Sequence, residues 1–132
     1  MSVGLVLVSH SARLAGGLRD LVEQVAQGRV PIAVAAGGPE GSLGTNAVAI
    51  GEAVGSLAGP DGVVVLLDLG SAVLSAETAL EDLAPSVRDR VRMADAPFVE
   101  GAVAAAVESS LGSDLEAVLA AAESARGQGK LA

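Results

Sequence analysis

The sequence alternates short apolar runs with longer segments of helical periodicity, and this alternation restricts the possible folds more than any other feature. Each run is too short for a helix and nearly continuous in hydrophobicity, which is typical of a strand buried on both faces. The runs are Val3–Val8, Val30–Ala36, Val63–Leu67 and Val91–Ala94. Strands that alternate with helices form a parallel sheet covered by helices on both faces. We therefore predict an α/β fold with an open, mainly parallel sheet of about four strands in the order 2-1-3-4.

Five segments show the spacing of apolar side chains that is typical of amphipathic helices. We predict that they run from after Ser11 to about Val25, from a cap at Thr45 to about Leu57, from after Ser71 to Pro85, from Pro97 toward Leu111, and from a capping box at Ser113 to about Ala125. The Gly-rich residues 37–44 form a loop. Since no linker or repeat interrupts the pattern, we expect one domain over residues 1–132 with a frayed tail at 126–132.

The composition excludes most catalytic chemistries. The 132 residues include no Cys, Trp or Tyr, one Phe and one His, and 8 Lys and Arg against 16 Asp and Glu give a net charge of −8. Thiol chemistry, zinc fingers and His-rich metal sites are therefore excluded, and the acidic balance argues against nucleic acid. We expect no metal, no permanently bound cofactor and no nucleic-acid partner. Any catalytic imidazole must belong to His10.

The beginning of the sequence shows no targeting signal. Residues Met1–Leu7 carry no Lys or Arg, so the basic region of a signal peptide is missing. The longest apolar runs fall far short of the roughly 20 residues that a membrane span needs. We therefore expect a cytoplasmic protein that does not enter the membrane.

Three polar loops follow the predicted strands and meet at one edge of the sheet, where ligands bind in open α/β folds. They are Ser9–Ser11, Gly37–Thr45 and Asp68–Ser71. In the order 2-1-3-4 the first and third strands are neighbours, so His10 and Asp68 meet across this edge. A carboxylate beside an imidazole fixes its tautomer and stabilises the charge that develops during nucleophilic attack. The alternative is structural: His10 begins a helix and Asp68 ends a strand in a turn.

The same edge offers groups that bind anions. Helices begin just after His10 and near Ser71, and helix N-termini present free N–H groups that suit phosphate. Ser9, Ser11 and Ser71 add hydroxyl donors, and Arg13 adds positive charge. No nucleotide-binding glycine motif accompanies them, and the lone Lys130 is not part of a Walker motif. A phosphoryl group carried on His10 is the chemistry this set favours, although each serine fits ordinary helix capping equally well.

Four segments resemble the mannose-type IIA domains of the bacterial phosphotransferase system. They are Val6–Leu14, Ala35–Ala47, Leu66–Pro85 and Ala96–Val107, and the likeness spans essentially the whole chain. The pattern D-x-G-S-A-x-x-S-A-E-x-A-L, which begins at Asp68, is similar to the branch of the family that serves dihydroxyacetone kinases. The resemblance implies the mannose-type IIA fold and a homodimer.

The resemblance also implies a phosphohistidine at His10, on the ring nitrogen remote from the main chain, with Asp68 orienting the ring. The donor would be the phosphocarrier protein HPr. The acceptor would be ADP on the ADP/ATP-binding dihydroxyacetone kinase subunit, so that the regenerated ATP phosphorylates dihydroxyacetone. Some relatives carry phosphocarrier-like extensions, and we expect this chain to take its phosphoryl group from a separate protein. Family-like positions around the phosphoryl group are Gly38, Thr45, Gly70 and Ser71.

Two alternatives stay open. In the first, the chain is a mannose-type IIA component that passes its phosphoryl group to a sugar transporter. In the second, it is a non-catalytic ligand-binding or regulatory module in which His10 merely caps a helix.

Overall fold

The computed structural model describes residues 2–131, and within them the strands form a four-stranded, all-parallel sheet. The strands are β1 (Gly4–Ser9), β2 (Ile32–Ala36), β3 (Val63–Leu67) and β4 (Val91–Met93). Their order is β2-β1-β3-β4, which confirms the predicted order 2-1-3-4 and the α/β fold. As a result β1 lies inside the sheet between β2 and β3.

The helices of the described residues are α1 (Ala12–Ala26), α2 (Ala47–Leu57), α3 (Ala72–Glu81), α4 (Pro85–Arg88), α5 (Phe98–Ser110) and α6 (Leu115–Ser124). Single 3₁₀ turns occur at Pro39–Gly41 and Ala125–Gly127. The sequence did not predict α4, a single turn that Pro85 opens as its first residue, a position that proline favours. None of these helices combines the length and apolar character needed to cross a membrane.

The cap predicted at Thr45 is wrong. The side chain of Asn46 caps α2 by accepting hydrogen bonds from the N–H groups of Val48 and Ala49 at 2.8 and 3.2 Å. The Thr45 hydroxyl instead lies 2.7 Å from the hydroxyl oxygen of Ser75 on α3. Neighbouring Thr and Asn residues are both good caps, so the sequence alone does not separate them.

The cap predicted at Ser113 is also wrong, by one residue. The carboxylate of Asp114 accepts a hydrogen bond from the N–H of Ala117 at 2.9 Å and so caps α6. The Ser113 hydroxyl donates to the carboxylate of Glu108 at the end of α5. The bond between Ser113 and Glu108 joins the two helices across their short connection.

Alternate side chains of the strands face two separate apolar cores. One core joins the sheet to α1, α5 and α6 and includes Leu5, Leu7, Val64, Leu66, Val22, Ala102 and Ala122. The other joins the sheet to α2 and α3 and includes Val6, Val8, Val63, Val65, Ile50, Val54 and Ala76. Because both faces of β1 are covered, all six of its residues are buried.

The chain after α6 returns to the protein surface. Ala125 is buried at the start of the last 3₁₀ turn, and Arg126 forms an ion pair with Asp95 at 3.2 Å. Lys130 forms another with Glu100 at 3.0 Å. These pairs are exposed and therefore add little stability. The predicted frayed tail ends at Ala132, which lies outside the described residues.

Candidate functional site

The parallel pairing of β1 and β3 brings their carboxyl ends together. Val8 pairs with Leu67, and the N–H of Asp68 donates to the carbonyl oxygen of Val8 at 3.1 Å. Asp68 therefore lies beside the point where β1 ends and the chain turns into α1. The structure places His10 and Asp68 in direct contact at this edge, with Nδ1 of the ring 3.0 Å from Oδ1 of the carboxylate.

Asp68 accepts four hydrogen bonds. Its Oδ1 atom accepts a hydrogen bond from Nδ1 of His10 at 3.0 Å and another from the N–H of Leu69 at 2.7 Å. Its Oδ2 atom accepts hydrogen bonds from the main-chain N–H of His10 and from the hydroxyl of Ser9, both at 2.9 Å. The carboxylate side chain is 7% exposed and the His10 side chain is 25% exposed. The carboxylate is therefore enclosed, while the imidazole reaches solvent.

These hydrogen bonds keep Asp68 ionised. Burial by itself would raise the pKa of the carboxyl group. The hydrogen bonds from the main chain and ring of His10, the hydroxyl of Ser9 and the N–H of Leu69 outweigh that effect and hold the pKa of Asp68 below its usual value of 3.8. The group facing the imidazole is thus a carboxylate with a negative charge at neutral pH.

The charge of Asp68 determines which nitrogen of His10 carries the proton in the neutral ring. An ionised carboxylate only accepts hydrogen bonds, so Nδ1 must donate and Nε2 holds the lone pair. The hydroxyl oxygen of Ser71 lies 3.0 Å from Nε2, and in this tautomer it donates to the lone pair. The imidazole therefore directs its nucleophilic nitrogen away from the protein core.

Ser71 precedes α3 at the N-cap position, but its side chain makes no capping bond because it contacts His10. Among the described residues, no protein acceptor takes the N–H groups of Gly70 and Ser71. Both residues are exposed. The start of α3 thus offers a hydroxyl 3.0 Å from Nε2 and, in the same turn, two main-chain N–H groups without protein acceptors, an arrangement suited to an anion.

The other two predicted serines have different partners. Ser9 is completely buried, and its hydroxyl oxygen accepts a hydrogen bond from the N–H of Ser11 at 3.0 Å while it donates to Asp68. The Ser11 hydroxyl accepts from the N–H of Leu14 at 3.2 Å and caps α1. The structure therefore does not bring the hydroxyl of Ser9 to the open edge, because Asp68 and the turn into α1 use it inside the protein.

The Gly-rich loop between β2 and α2 lies against the same turn. The N–H of Gly37 donates to the carbonyl of Ser9 at 3.1 Å, and that of Gly44 donates to the carbonyl of His10 at 2.9 Å. Gly38 closes the loop on itself through its N–H bond to the carbonyl of Ser42 at 2.7 Å. A Cβ at Gly38 would lie 2.7 Å from the hydroxyl oxygen of Ser42, so this position excludes a side chain without rearrangement. Gly38 therefore shapes the loop.

Two residues of the site, Gly44 and Ser75, were not predicted from the sequence. Gly44 holds the carbonyl of His10, and its φ of +152° is one that side chains disfavour. Ser75 holds the hydroxyl of Thr45 and so ties the loop to α3. The density of glycines in residues 37–44 was a signal for Gly44. Ser75 follows Ser71 by one helical turn, which placed it on the same face of α3.

A cleft of about 340 Å³ lies beside Asp68, at the carboxyl ends of β3 and β4. Asp68, Gly70, Met93 and Asp95 are among its lining residues, and His10 is not. Arg13 is exposed in the first turn of α1 and lines a separate groove. Residues 2–131 contain no group of three or more His, Asp or Glu side chains arranged to hold a metal ion.

The fold and the site define an α/β domain that presents one oriented imidazole at the carboxyl edge of its sheet. Residues 4–119 match the family model EIIA-man, described as the PTS system fructose IIA component. The chain belongs to this mannose-type IIA family.

Relatives in the family carry names that refer to dihydroxyacetone kinases. The PEP-dependent dihydroxyacetone kinase phosphoryl donor subunit DhaM of Escherichia coli (strain K12) is 48% identical over 120 residues, which cover 89% of this chain and 25% of that protein. The chain thus spans about a quarter of the length of this relative. The phosphoryl donor subunit DhaM of dihydroxyacetone kinase 2 from Listeria innocua is 38% identical, covering 89% of this chain and 94% of that one.

A solved structure has the same fold. The crystal structure of EF1359, a protein of unknown function, superposes with a TM-score of 0.86 over the full length of both chains, at 32% sequence identity.

Proposed function

We propose that this chain is a phosphoryl carrier that accepts a phosphoryl group on Nε2 of His10 and passes it to ADP on a dihydroxyacetone kinase subunit. The observation that carries the proposal is the contact between Nδ1 of His10 and the ionised Asp68 at 3.0 Å. This contact leaves the lone pair on Nε2, the nitrogen that contacts the hydroxyl of the exposed Ser71 at the start of α3.

In the first step, the lone pair of Nε2 attacks the phosphorus of the phosphohistidine of HPr. The Nε2–P bond forms, the bond between phosphorus and the donor nitrogen breaks, and its electron pair returns to the ring of HPr. The ring of His10 gains positive charge while Nδ1 keeps its proton. Asp68 stabilises that charge from 3.0 Å, and the N–H groups of Gly70 and Ser71 receive the phosphoryl oxygens.

In the second step, an oxygen of the terminal phosphate of ADP attacks the same phosphorus. The Nε2–P bond breaks and its electron pair returns to Nε2, which restores the starting tautomer because Nδ1 has kept its proton. No proton needs to enter or leave the ring of His10 in either step. The site therefore works in both directions, and the phosphoryl potential of donor and acceptor sets the net flow.

The names of the relatives support the kinase subunit as the acceptor. The likeness to the Listeria innocua subunit covers 94% of that protein, so the shared domain makes up nearly all of that donor subunit. We extend the proposal to HPr as the donor, a cytoplasmic location and a homodimer, in agreement with the family resemblance. The phosphoryl-binding set is Gly70 and Ser71, with Gly38 and Thr45 shaping the adjacent loop and Ser11 capping α1.

The test is phosphorylation of the purified chain by phosphoenolpyruvate, the first general phosphotransferase enzyme and HPr, read by intact mass. We expect one acid-labile phosphoryl group per chain and none on the His10→Ala variant. Adding the ADP-loaded kinase subunit should then remove the group and form ATP. If the wild-type chain takes no label, the non-catalytic alternative holds and the proposal fails.

A transporter component is the second candidate acceptor, because the family model is described as a fructose IIA component. The two acceptors are distinguished after the chain has been labelled. Loss of label to a sugar-transport IIB component, with no ATP formed from the ADP-loaded kinase subunit, would favour this alternative.

A further inference from the structure

We propose that Ser9 is a positioning residue, whose buried hydroxyl fixes the Asp68 carboxylate and the turn after β1 so that His10 keeps its lone pair on Nε2. The inference rests on the proposed function for its rate measurement, but its structural part can be tested without a phosphoryl donor. Ser9 does not contact the phosphoryl group and acts only through its hydrogen bonds to Asp68 and Ser11.

The hydroxyl of Ser9 joins two parts of the site. It donates to Oδ2 of Asp68 at 2.9 Å and accepts from the N–H of Ser11 at 3.0 Å. Ser11 is the N-cap of α1, and His10 lies between the two serines. One buried oxygen therefore holds both the carboxylate that faces the imidazole and the backbone that carries it.

Each carboxylate oxygen of Asp68 accepts hydrogen bonds from two different donors. The donors to Oδ1 are the ring of His10 and the N–H of Leu69. The donors to Oδ2 are the main-chain N–H of His10 and the hydroxyl of Ser9. The hydroxyl of Ser9 is the partner of Oδ2 that a side-chain substitution can remove without altering His10. Without it, the carboxylate loses one of the two contacts that keep Oδ1 directed at Nδ1.

The chain supplies a matched control. Ser9 and Ser109 are the polar residues that are buried among those described, and both are completely buried. The hydroxyl of Ser109 on α5 donates to the carbonyl of Val3 at 2.6 Å, at the opposite end of β1 from His10. Ser109→Ala controls for the loss of a completely buried hydroxyl, while Ser9→Ala should cost more stability because it breaks two hydrogen bonds, one of them to a carboxylate. Only the substitution at Ser9 changes the contacts of Asp68.

The experiment compares Ser9→Ala with Ser109→Ala. The first measurement is the ¹⁵N NMR signature of the His10 ring, which reports the protonated nitrogen. We expect a single Nδ1–H tautomer in wild type and Ser109→Ala, and a mixture in Ser9→Ala. The second is the rate of phosphoryl uptake from HPr, which should fall about 10- to 100-fold in Ser9→Ala, as is typical when a group that orients a reacting residue is lost. Ser109→Ala should keep the wild-type rate.

Each result bears on the inference. If Ser9→Ala keeps the wild-type tautomer and rate, Ser9 is only a structural residue and the inference is overturned. If Ser9→Ala does not fold, Ser9→Cys retains a weak donor of similar shape and should give intermediate values for both measurements. If the wild-type chain takes no phosphoryl group, the proposed function fails, and the tautomer measurement still decides the part played by Ser9.

Discussion

The hydroxyl oxygen of Ser71 lies 3.0 Å from Nε2 of His10, on the nitrogen opposite the one that faces Asp68. The imidazole is therefore held at both nitrogens before any partner binds. A phosphoryl group on Nε2 must replace the contact with Ser71, whose side chain is exposed. The same hydroxyl can then donate to a phosphoryl oxygen.

The contrast between Ser71 and Ser11 gives the first prediction. Ser11→Ala removes a real cap from α1 and should lower the free energy of unfolding by about 1 kcal/mol. Ser71→Ala removes no capping bond and should change it by less than about 0.5 kcal/mol, but should slow phosphoryl uptake roughly tenfold or more because a donor to the transferred group is lost. Urea unfolding and rapid-quench labelling measure the two effects. Equal losses of stability in both variants would contradict the assignment of the caps.

Replacement of the carboxylate gives the second prediction. Asp68→Ala should slow phosphoryl transfer roughly 10²- to 10⁴-fold, since the ring loses the group that fixes its tautomer and stabilises its charge. The single-turnover rate of labelling from HPr measures this effect. Asp20→Ala, which removes an exposed carboxylate on α1, serves as the control and should keep the wild-type rate. A near-normal rate in Asp68→Ala would show that the carboxylate does not act on His10.

The lowered pKa of Asp68 predicts a pH dependence of stability. Because the folded protein holds this pKa below the usual 3.8, the unfolded chain binds the proton more readily. The stabilisation is therefore complete above the usual pKa and is lost as the pH falls through the folded-state value. Thermal unfolding of wild type and Asp68→Asn across this acid range should show a shallower loss of stability in the variant. Parallel curves for the two proteins would refute the assignment.

Two glycines give opposite predictions for stability. Gly62 immediately precedes β3 with a φ of +93°, and a Cβ there would lie 2.8 Å from the carbonyl oxygen of Arg90. Gly62→Ala should therefore destabilise the protein by about 1–3 kcal/mol. Gly17 lies inside α1, and apart from its chain neighbours and the adjacent helix backbone no atom lies within 4 Å of its missing Cβ, so Gly17→Ala should stabilise the protein by up to about 1 kcal/mol. Denaturant unfolding of both variants should show shifts of opposite sign.

The sheet could be predicted from the sequence because its strands carry a strong and unambiguous signal. The Val- and Leu-rich runs at β1 and β3 are covered on both faces, and this burial favours apolar residues along nearly the whole strand, with Ser9 at the end of β1 as a buried polar residue. The order 2-1-3-4 was expected because it is common in doubly wound sheets, and the structure confirms it together with the meeting of His10 and Asp68. For these parts of the fold, local pattern and tertiary packing agree.

The hydroxyl groups could not be assigned in the same way. Ser9, Ser11 and Ser71 have the same chemistry and lie at the same edge, yet one is buried under Asp68, one caps α1 and one contacts the imidazole. Their partners depend on differences of a few ångströms in the turns. The same holds for Thr45 and Asn46, where a contact with α3 decides which residue caps α2.

The interior position of β1 has a consequence for how partners tell the two states of the carrier apart. His10 follows a strand that is buried along its whole length, so a phosphoryl group on its ring has little freedom to move the backbone behind it. The loaded and unloaded chains should have nearly the same shape. They should differ by about one negative charge, added to a net charge of −8, because the phosphoryl group is transferred while Nδ1 keeps its proton. A partner protein must then distinguish the phosphorylated from the unphosphorylated chain by their difference in charge. Recognition of this kind weakens as ionic strength rises.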